Sequence, residues 1–261
     1  MRLTHATLRL VRPSTSVLPF LAVLIPLFAR TGDLKLALVR AVPLLFIAMC
    51  TFIINDLDDV EKDRINHPTR PLPRGEVKPE FVVGLYFVCL ALALFTTRFC
   101  VPASVAFWYY TVLLMSISYG YVVEYVPIFK PWYVAAASSI PIVILLRYYP
   151  EEIALYRVGV ALFVFMLGRE LCKDVVDRPG DPASLLHRVP ADRVARLAFA
   201  AEAVGLLLLA PGAMHVLRAV DLLLMTALLA LAYLCWFNWN RAARAVGIMK
   251  VVIFLGLYFL I

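Results

Sequence analysis

The chain has 261 residues, of which 63% are hydrophobic and only 16% charged. A soluble domain is typically about half apolar and about a quarter charged, so this composition excludes an ordinary soluble enzyme and a disordered chain. A net charge of +7 would indicate nucleic acid in a soluble protein, whereas in a membrane protein it indicates basic cytoplasmic loops. We therefore predict a polytopic membrane protein without a nucleic-acid partner.

Apolar stretches of about 20 residues, the length that crosses a bilayer, recur along the whole chain. Nine candidates lie at residues 15–30, 36–55, 80–98, 101–122, 132–148, 152–171, 193–210, 213–237 and 245–261. The sequence shows no repeat of fixed period and no low-complexity tract between them. We therefore expect a single membrane domain over residues 1–261.

The charged residues indicate the orientation of these helices. With a cytoplasmic N-terminus, 18 of the 25 Lys and Arg residues fall on the cytoplasmic side, as the positive-inside rule requires. The acidic residues are more concentrated still, because 12 of the 18 lie in or beside two charged segments, 56–79 and 171–192. Each segment follows a predicted membrane helix, so we expect the N-terminus and both Asp-rich loops in the cytoplasm.

The carboxylates in these two segments share a spacing. Asn55, Asp59 and Asp63 recur every four residues, so a continuing helix would present them on one face, with Asp56 at its edge. The second segment has carboxylates at intervals of four, three and four residues, at Glu170, Asp174, Asp177 and Asp181. Solvated loop charges are the simplest interpretation of a single Asp, but the repeated Asp-x-x-Asp-x-x-x-Asp spacing favours a binding site.

Rows of like charge destabilise a helix unless something positive neutralises them. Hard oxygen ligands suit Mg²⁺, which binds one or two carboxylates together with water and phosphate oxygens. Two facing rows would clamp a diphosphate, nearby Lys and Arg side chains would take up the remaining phosphate charge, and the apolar membrane side would hold a hydrocarbon tail. The pattern therefore predicts a site for Mg²⁺ and for a diphosphate joined to a lipid chain.

The segment Asn55-Asp56-x-x-Asp59-x-x-x-Asp63, followed by RINHPTRPLPRG at 64–75, resembles the first signature of the UbiA superfamily of intramembrane prenyltransferases. The segment LGRELCKDVVDRPGD at 167–181 resembles the second signature. Its Gly-Arg-Glu…Lys-Asp form is most similar to the digeranylgeranylglyceryl phosphate synthase branch. The resemblance implies an all-α membrane bundle of about nine transmembrane helices around a central cavity, capped by the two cytoplasmic motif loops.

The resemblance also implies roles for individual residues. Its metal ligands would be Asn55, Asp56, Asp59, Asp63, Asp174, Asp177 and Asp181, and of these the catalytic carboxylates would be Asp59, Asp63, Asp174 and Asp177. Its diphosphate contacts would be Asn55, Arg64, Asn66, Arg70 and Lys173. The metal-bound diphosphate would leave as an allylic carbocation forms, and an acceptor would attack its first carbon.

One element departs from the family pattern. Members often carry a Tyr-x-x-x-Lys-type element after the fourth helix, with the lysine near the diphosphate. Here Val123 and Tyr125 stand at the expected spacing from Tyr119 and Tyr121, and the nearest cation is Lys130. We expect that either Lys130 or an arginine takes that role, or that the diphosphate is bound in a different way.

The sequence thus predicts Mg²⁺-dependent transfer of a prenyl group from an isoprenyl diphosphate to an acceptor within the membrane. The acceptor stays open between a glycerol phosphate lipid, a quinone precursor, another aromatic and a sugar phosphate. One alternative is a UbiA-type terpene cyclase, in which the cation closes on itself. A cation-coupled secondary transporter is disfavoured, because transporter sites lie near the bilayer midplane whereas these acids cluster at one face.

Overall fold

The computed structural model describes residues 2–178 and 189–209, and these ranges are helical with no strand. They form nine α-helices and one turn of 3₁₀-helix at Pro127–Phe129. The α-helices are α1 (Arg2–Val11), α2 (Pro13–Thr31), α3 (Leu34–Asp58), α4 (Val60–Asn66), α5 (Pro79–Cys100), α6 (Ala103–Tyr125), α7 (Lys130–Tyr148), α8 (Ile153–Asp177) and α9 (Ala191–Leu209).

Seven of the predicted membrane stretches coincide with α2, α3 and α5 to α9, with ends that differ by a few residues. Within the described ranges, five of these helices, α2, α3, α5, α6 and α7, are long and apolar enough to cross a membrane. The predicted fold class, an all-α integral membrane protein, is confirmed. The stretches predicted at 213–237 and 245–261 lie outside the described residues.

Local sequence signals set several helix ends. Gly32 adopts a left-handed conformation (φ 68°) after α2, and its N–H donates to Phe28 O at 2.8 Å. The carboxylate of Asp33 accepts from Leu36 N at 2.9 Å and caps the start of α3. Pro13 and Pro79 occupy the first turns of α2 and α5, where a missing N–H costs nothing.

Prolines also lie inside the membrane helices. The described region has Pro19 and Pro26 in α2, Pro43 in α3 and Pro141 in α7. An internal proline removes one backbone hydrogen bond, a defect that membrane helices tolerate where neighbouring groups compensate for it.

Two buried apolar clusters of the described residues join α1 to α7 and the start of α8. One includes Leu44 of α3, Tyr109 of α6 and Ile144 of α7, all at most 2% exposed. The other lies near the motif end of α3 and joins Leu10 of α1 to Ile53. Through this second cluster, α1 is anchored to the bundle beside the first motif.

α8 and α9 cross at glycines. A Cβ on Gly168 would lie 2.5 Å from Ala198 O, and one on Gly205 would lie 2.8 Å from Ala161 O. Small residues let membrane helices approach this closely. The crossing fixes α8 directly before Arg169, where the second motif begins.

Both motif segments are more helical than predicted. α3 extends to Asp58, and the N–H groups of Asp59 and Asp63 continue the helical pattern by donating to Asn55 O and Asp59 O at 2.9 and 2.7 Å. α8 runs to Asp177, six residues past the predicted end of its membrane stretch at 171, because Cys172 and Asp174 are still buried. The charged segments therefore begin as helix ends rather than as loops.

Candidate active site

The ends of α3, α4 and α8 meet at one end of the bundle, which we call the site end. A polar cavity of about 50 Å³ lies there. It is lined by Arg12, Asn55, Asp59, Lys62, Asp63, Asn66, His67, Arg70, Tyr119, Lys130, Lys173 and Asp177. Both motifs and the N-terminal segment therefore contribute to one polar cradle.

A second cavity of about 530 Å³ extends from this cradle between the helices. Its wall is mostly apolar and includes Leu44, Ile142 and Phe165. The two cavities share lining residues, which are Arg12, Asn55, His67, Arg70, Tyr119, Lys173 and Asp177. A molecule with a charged head and an apolar tail fits this pair of cavities, and a volume of about 300–1,000 Å³ is usual for small-molecule sites.

The first motif is held by arginines. Asp56 and Asp63 are 2% and 3% exposed, and Arg70 Nη1 contacts both, with a distance of 3.4 Å to Asp56 Oδ1. Arg12 donates a second hydrogen bond to Asp56 Oδ1. Burial raises the pKa of Asp63 above its ordinary value, and Arg70 opposes this shift. Asp56 itself does not line the polar cavity.

Arg12 reaches the site through an unusual backbone conformation. It has φ 45°, the one positive φ at a non-glycine residue in the described ranges, and it lies between α1 and Pro13. Its guanidinium lies 5.1 Å from the ring centroid of Phe52. Arg9 fixes α1 beside it by donating to Glu76 Oε2 at 3.1 Å and to the carbonyl of Thr69.

The second motif is held from two other elements. Lys130, the first residue of α7, donates to Asp174 Oδ1 at 2.6 Å, and both side chains are buried. His67 Nε2 lies 3.3 Å from Asp177 Oδ1, and Asn66 Nδ2 donates to the backbone oxygen of Asp177 at 2.7 Å. The end of α4 is thereby joined to the end of α8.

The pKa of Asp177 is shifted in the opposite direction from the pKa of Asp63. Burial raises it, but the hydrogen bond with His67 and the charge of Lys173 outweigh burial and leave it below its ordinary value. Asp177 is therefore a carboxylate of the second motif whose partners favour its ionised form, and it lines the polar cradle.

The remaining predicted site residues differ in whether they line the polar cavity. Asp59 lines the polar cavity with Lys62 Nζ 3.4 Å from its carboxylate. Arg64 instead lies outside both cavities, exposed, with Nη1 2.9 Å from Glu61 Oε2. It follows Asp63 directly, so it projects from α4 about 100° away from the motif face. Asp181 lies outside the described residues.

The sequence model of the UbiA prenyltransferase family matches residues 16–255 of the chain. The chain belongs to the UbiA prenyltransferase family. It is 29% identical over 248 residues to a digeranylgeranylglyceryl phosphate synthase of Methanoregula boonei, a match that covers 90% of this chain and 80% of the relative. The predicted enzyme class, a prenyltransferase, and the multi-pass membrane location are thereby confirmed.

Two solved structures show the same fold. An apo UbiA homologue from Aeropyrum pernix has a TM-score of 0.73 at 16% identity, and the match covers 95% of this chain and 97% of that one. A UbiA homologue from Archaeoglobus fulgidus, bound to DMAPP and Mg²⁺, has a TM-score of 0.60 at 18% identity, covering 97% and 98%.

The donor atoms at the site end suit the Mg²⁺ that was predicted. Asn55 Oδ1 is buried and has no hydrogen-bond partner among the described residues. It lines the polar cavity with Asp59, Asp63 and Asp177, and all four side chains offer hard oxygen donors. In the described ranges no three His, Cys, Asp or Glu side chains converge on one point. Each of these carboxylates instead faces a Lys, Arg or His side chain, so side-chain cations lie where a metal ion would place its positive charge.

The sequence did not reveal some residues and contacts of the candidate site. Arg12 lies 44 residues from Asp56 and carries no motif, so only the dipeptide Arg12-Pro13 marks a break there. Tyr119 lines both cavities, although the sequence only singled it out for the missing lysine. Lys130 was predicted as a diphosphate contact, and it lines the polar cavity, but its contact with Asp174 was not predicted.

Proposed function

We propose that this UbiA-family protein transfers a prenyl group from an isoprenyl diphosphate to an acceptor held in the same cavity. The observation that carries the proposal is the continuity of the two cavities, with cations and carboxylates at the head and apolar walls behind. A diphosphate occupies the polar cradle, and its hydrocarbon chain occupies the large cavity.

The chain's own cations bind the diphosphate in this proposal. Arg70, Lys130 and Lys173 line the cradle, and their N–H groups donate to phosphate oxygens. Mg²⁺ held by Asn55, Asp59, Asp63 and Asp177 supplies positive charge that stabilises the leaving diphosphate. Asp56 and Asp174, which are buried against Arg12 and Lys130, position those cations.

The apolar wall supports the other half of the reaction. Carbon–oxygen cleavage leaves a reactive allylic cation that water would quench, and side chains such as Leu44, Ile142 and Phe165 exclude water from it. The name of the Methanoregula boonei relative, digeranylgeranylglyceryl phosphate synthase, favours a prenylated glyceryl phosphate as the acceptor. The excess of basic residues in the loops of the site end favours a cytoplasmic position for this end.

The test is a transfer assay on the full chain in nanodiscs. Labelled prenyl diphosphates of several lengths are incubated with a monoprenyl glyceryl phosphate, with Mg²⁺ or with EDTA, and products are identified by mass. We expect a prenylated acceptor only with Mg²⁺. A cyclic hydrocarbon without acceptor would establish the cyclase instead, and ion flux into liposomes without diphosphate release would establish a transporter.

Paired variants test the site itself. Asp59→Asn removes one charge from the polar cavity and is expected to lower turnover by about 10²–10³-fold, comparable with the loss of other transition-state stabilising groups. Glu151→Gln, an exposed acid at the other end of the bundle, serves as the control and keeps full activity. Equal activity of both variants would remove the site assignment.

A further inference from the structure

Arg169 and Glu170 form an ion pair in the wall of the large cavity. Arg169 Nη1 donates to Glu170 Oε1, and the two side chains are 15% and 2% exposed. Both residues line the large cavity, and neither lines the polar cradle. The proposed binding of the donor diphosphate in the polar cradle therefore does not involve this ion pair.

The pair lies deeper in the bundle than the aspartates of the second motif. Glu170 precedes Asp174 by four residues on α8, which is one helical turn or about 6 Å. A diphosphate in the cradle has its first prenyl carbon on the inner side, toward the apolar cavity. Glu170 is thus on the level where the reacting carbon, rather than the phosphates, is expected.

A buried carboxylate and a buried guanidinium are costly in a membrane protein. Desolvation of each ion costs several kcal/mol, and an apolar pair of the same size is often neutral or better for stability. An arginine also presents more donors than a single carboxylate oxygen uses. Arg169 Nε is buried and has no hydrogen-bond partner in the described part of the chain. The guanidinium therefore retains donor capacity beside the cavity.

We propose that Arg169 and Glu170 form the acceptor subsite, in which Arg169 binds the anionic head group of the acceptor and Glu170 accepts the proton of its attacking hydroxyl. This inference rests on the proposed function, since it assigns the second substrate of the same reaction. It limits the acceptor to an alcohol that carries a phosphate or a carboxylate.

The step balances as follows. The bond between the first prenyl carbon and the diphosphate oxygen breaks, and its electron pair leaves with the diphosphate. The acceptor oxygen forms a new bond to that carbon, which gives an ether. The hydroxyl proton moves to the carboxylate of Glu170, which becomes a neutral carboxylic acid, and no oxidant or reductant is needed.

The head-group role is tested with two acceptors, a monoprenyl glyceryl phosphate and the same monoprenyl glycerol without phosphate. The wild type is expected to prefer the phosphorylated acceptor by at least tenfold in kcat/KM. Arg169→Gln should lower kcat/KM for that acceptor to the level of the other one. Donor KM and Mg²⁺-dependent donor binding should stay within twofold.

Arg157→Gln is the matched control for this variant. Arg157 lies on the same helix, twelve residues earlier or about 18 Å away, and its Nε is likewise buried without a partner in the described ranges. It lines neither cavity. We expect Arg157→Gln to retain the preference for the phosphorylated acceptor, whatever it does to thermal stability.

The proton-acceptor role is tested with Glu170→Gln, which keeps the size of the side chain. Loss of a general base lowers rates by about 10²–10⁴-fold, so kcat should fall by this factor while acceptor KM changes less than threefold. A residue that merely holds Arg169 would give the opposite split, a raised acceptor KM with kcat retained. That split, or wild-type kcat, overturns the role of Glu170.

The possible outcomes distinguish a failure of the acceptor subsite from a failure of the proposed prenyl transfer. If the wild type transfers no prenyl group to any acceptor, the proposed function fails. If the wild type transfers normally but ignores the acceptor phosphate, or if Arg169→Gln weakens donor binding instead, only the acceptor subsite fails. A thermal unfolding curve of each variant in nanodiscs identifies any loss that comes from misfolding.

Discussion

The two ends of the helix bundle use charge in different ways. At the end opposite the site, Arg30 Nε donates to Glu152 Oε1 at 2.8 Å, and the Arg30 guanidinium lies 5.2 Å from the ring centroid of Tyr149. Tyr109 likewise donates to Arg40 O at 2.7 Å. These groups tie α2 to the start of α8, and α3 to α6, and none of them lines the large cavity.

At the site end, ion pairs such as Lys130–Asp174 and Arg70–Asp63 lie in or directly behind the cavity wall. A ligand with its own charges can replace one partner of such a pair, whereas the pair of Arg30 and Glu152 has no competing ligand. The same kind of contact is therefore a fixed tie at one end and an exchangeable contact at the other. Four variants test this distinction.

Lys130→Met is expected to have the largest effect. It leaves Asp174 buried without its cation, and breaking a buried pair in this way costs about 3–5 kcal/mol. The double variant Lys130→Met/Asp174→Leu should recover most of the unfolding temperature, because an apolar pair replaces both charges. Transfer activity should stay absent in the double variant. If the double variant regained activity as well as stability, the pair of Lys130 and Asp174 would be a purely structural contact, like the ion pair at the opposite end.

Arg70→Gln ranks next. Asp63 loses its arginine partner, while Asp56 keeps Arg12, so the cost is about that of one buried unsatisfied charged group, roughly 2–3 kcal/mol. Added Mg²⁺ should raise the unfolding temperature of this variant more than that of the wild type, because the released carboxylate of Asp63 faces the polar cavity. Thermal unfolding with and without Mg²⁺ measures this, and an equal shift in both proteins would contradict it.

Gly168→Ala tests how the site end is fixed. Its new Cβ would lie 2.5 Å from Ala198 O, a backbone atom that cannot yield, so overpacking is expected to cost about 1–3 kcal/mol. Gly84→Ala is the matched control on α5, where a Cβ meets nothing within 4 Å. The control should be neutral or stabilising by up to about 1 kcal/mol, since alanine favours the helix. Equal unfolding temperatures for the two variants would show that α8 and α9 are not held together at Gly168.

Arg30→Gln is expected to have the smallest effect and a distinctive pH dependence. The hydrogen bond from Arg30 holds the pKa of Glu152 below its ordinary value of 4.5. A lowered carboxyl pKa contributes stability above about pH 4.5 and loses that contribution as the pH falls through the native pKa.

Because Glu152 is 38% exposed, this pair is worth only about 0–1 kcal/mol at neutral pH. Unfolding curves of the wild type and of Arg30→Gln should therefore differ slightly at pH 7 and approach each other as the pH falls below 4.5. Transfer activity should be unchanged. A large loss of activity would show that the opposite end also takes part in catalysis.

Much of the fold follows from periodicity and length alone. The stretches predicted at 80–98 and 132–148 became α5 and α7 with shifts of at most two residues, because a run of apolar residues that long has few alternatives in a membrane. The helix ends of the motifs were harder to predict. The membrane stretches were predicted to end at residues 55 and 171, where the charges begin, whereas α3 and α8 continue to Asp58 and Asp177. The acids of α3 and α4 are tolerated because arginines from elsewhere neutralise them.

The candidate site shows the same limit. Spacing along a helix correctly grouped Asn55, Asp59 and Asp63, which all line the polar cavity. It did not exclude Arg64, although its position one residue after Asp63 places it on another face. Contacts between distant segments, such as Arg12 with Asp56, depend on how the helices pack and leave no local pattern in the sequence.

The internal prolines have a consequence for the chemistry inside the bundle. Each removes the N–H that would bond the carbonyl four residues earlier, and for Pro19, Pro26 and Pro141 these carbonyls belong to Thr15, Ala22 and Ala137. All three of those residues line the large cavity. Each of these wall residues therefore has a backbone carbonyl that lacks its helical N–H partner, and such a carbonyl dipole stabilises a nearby positive charge without giving it a proton.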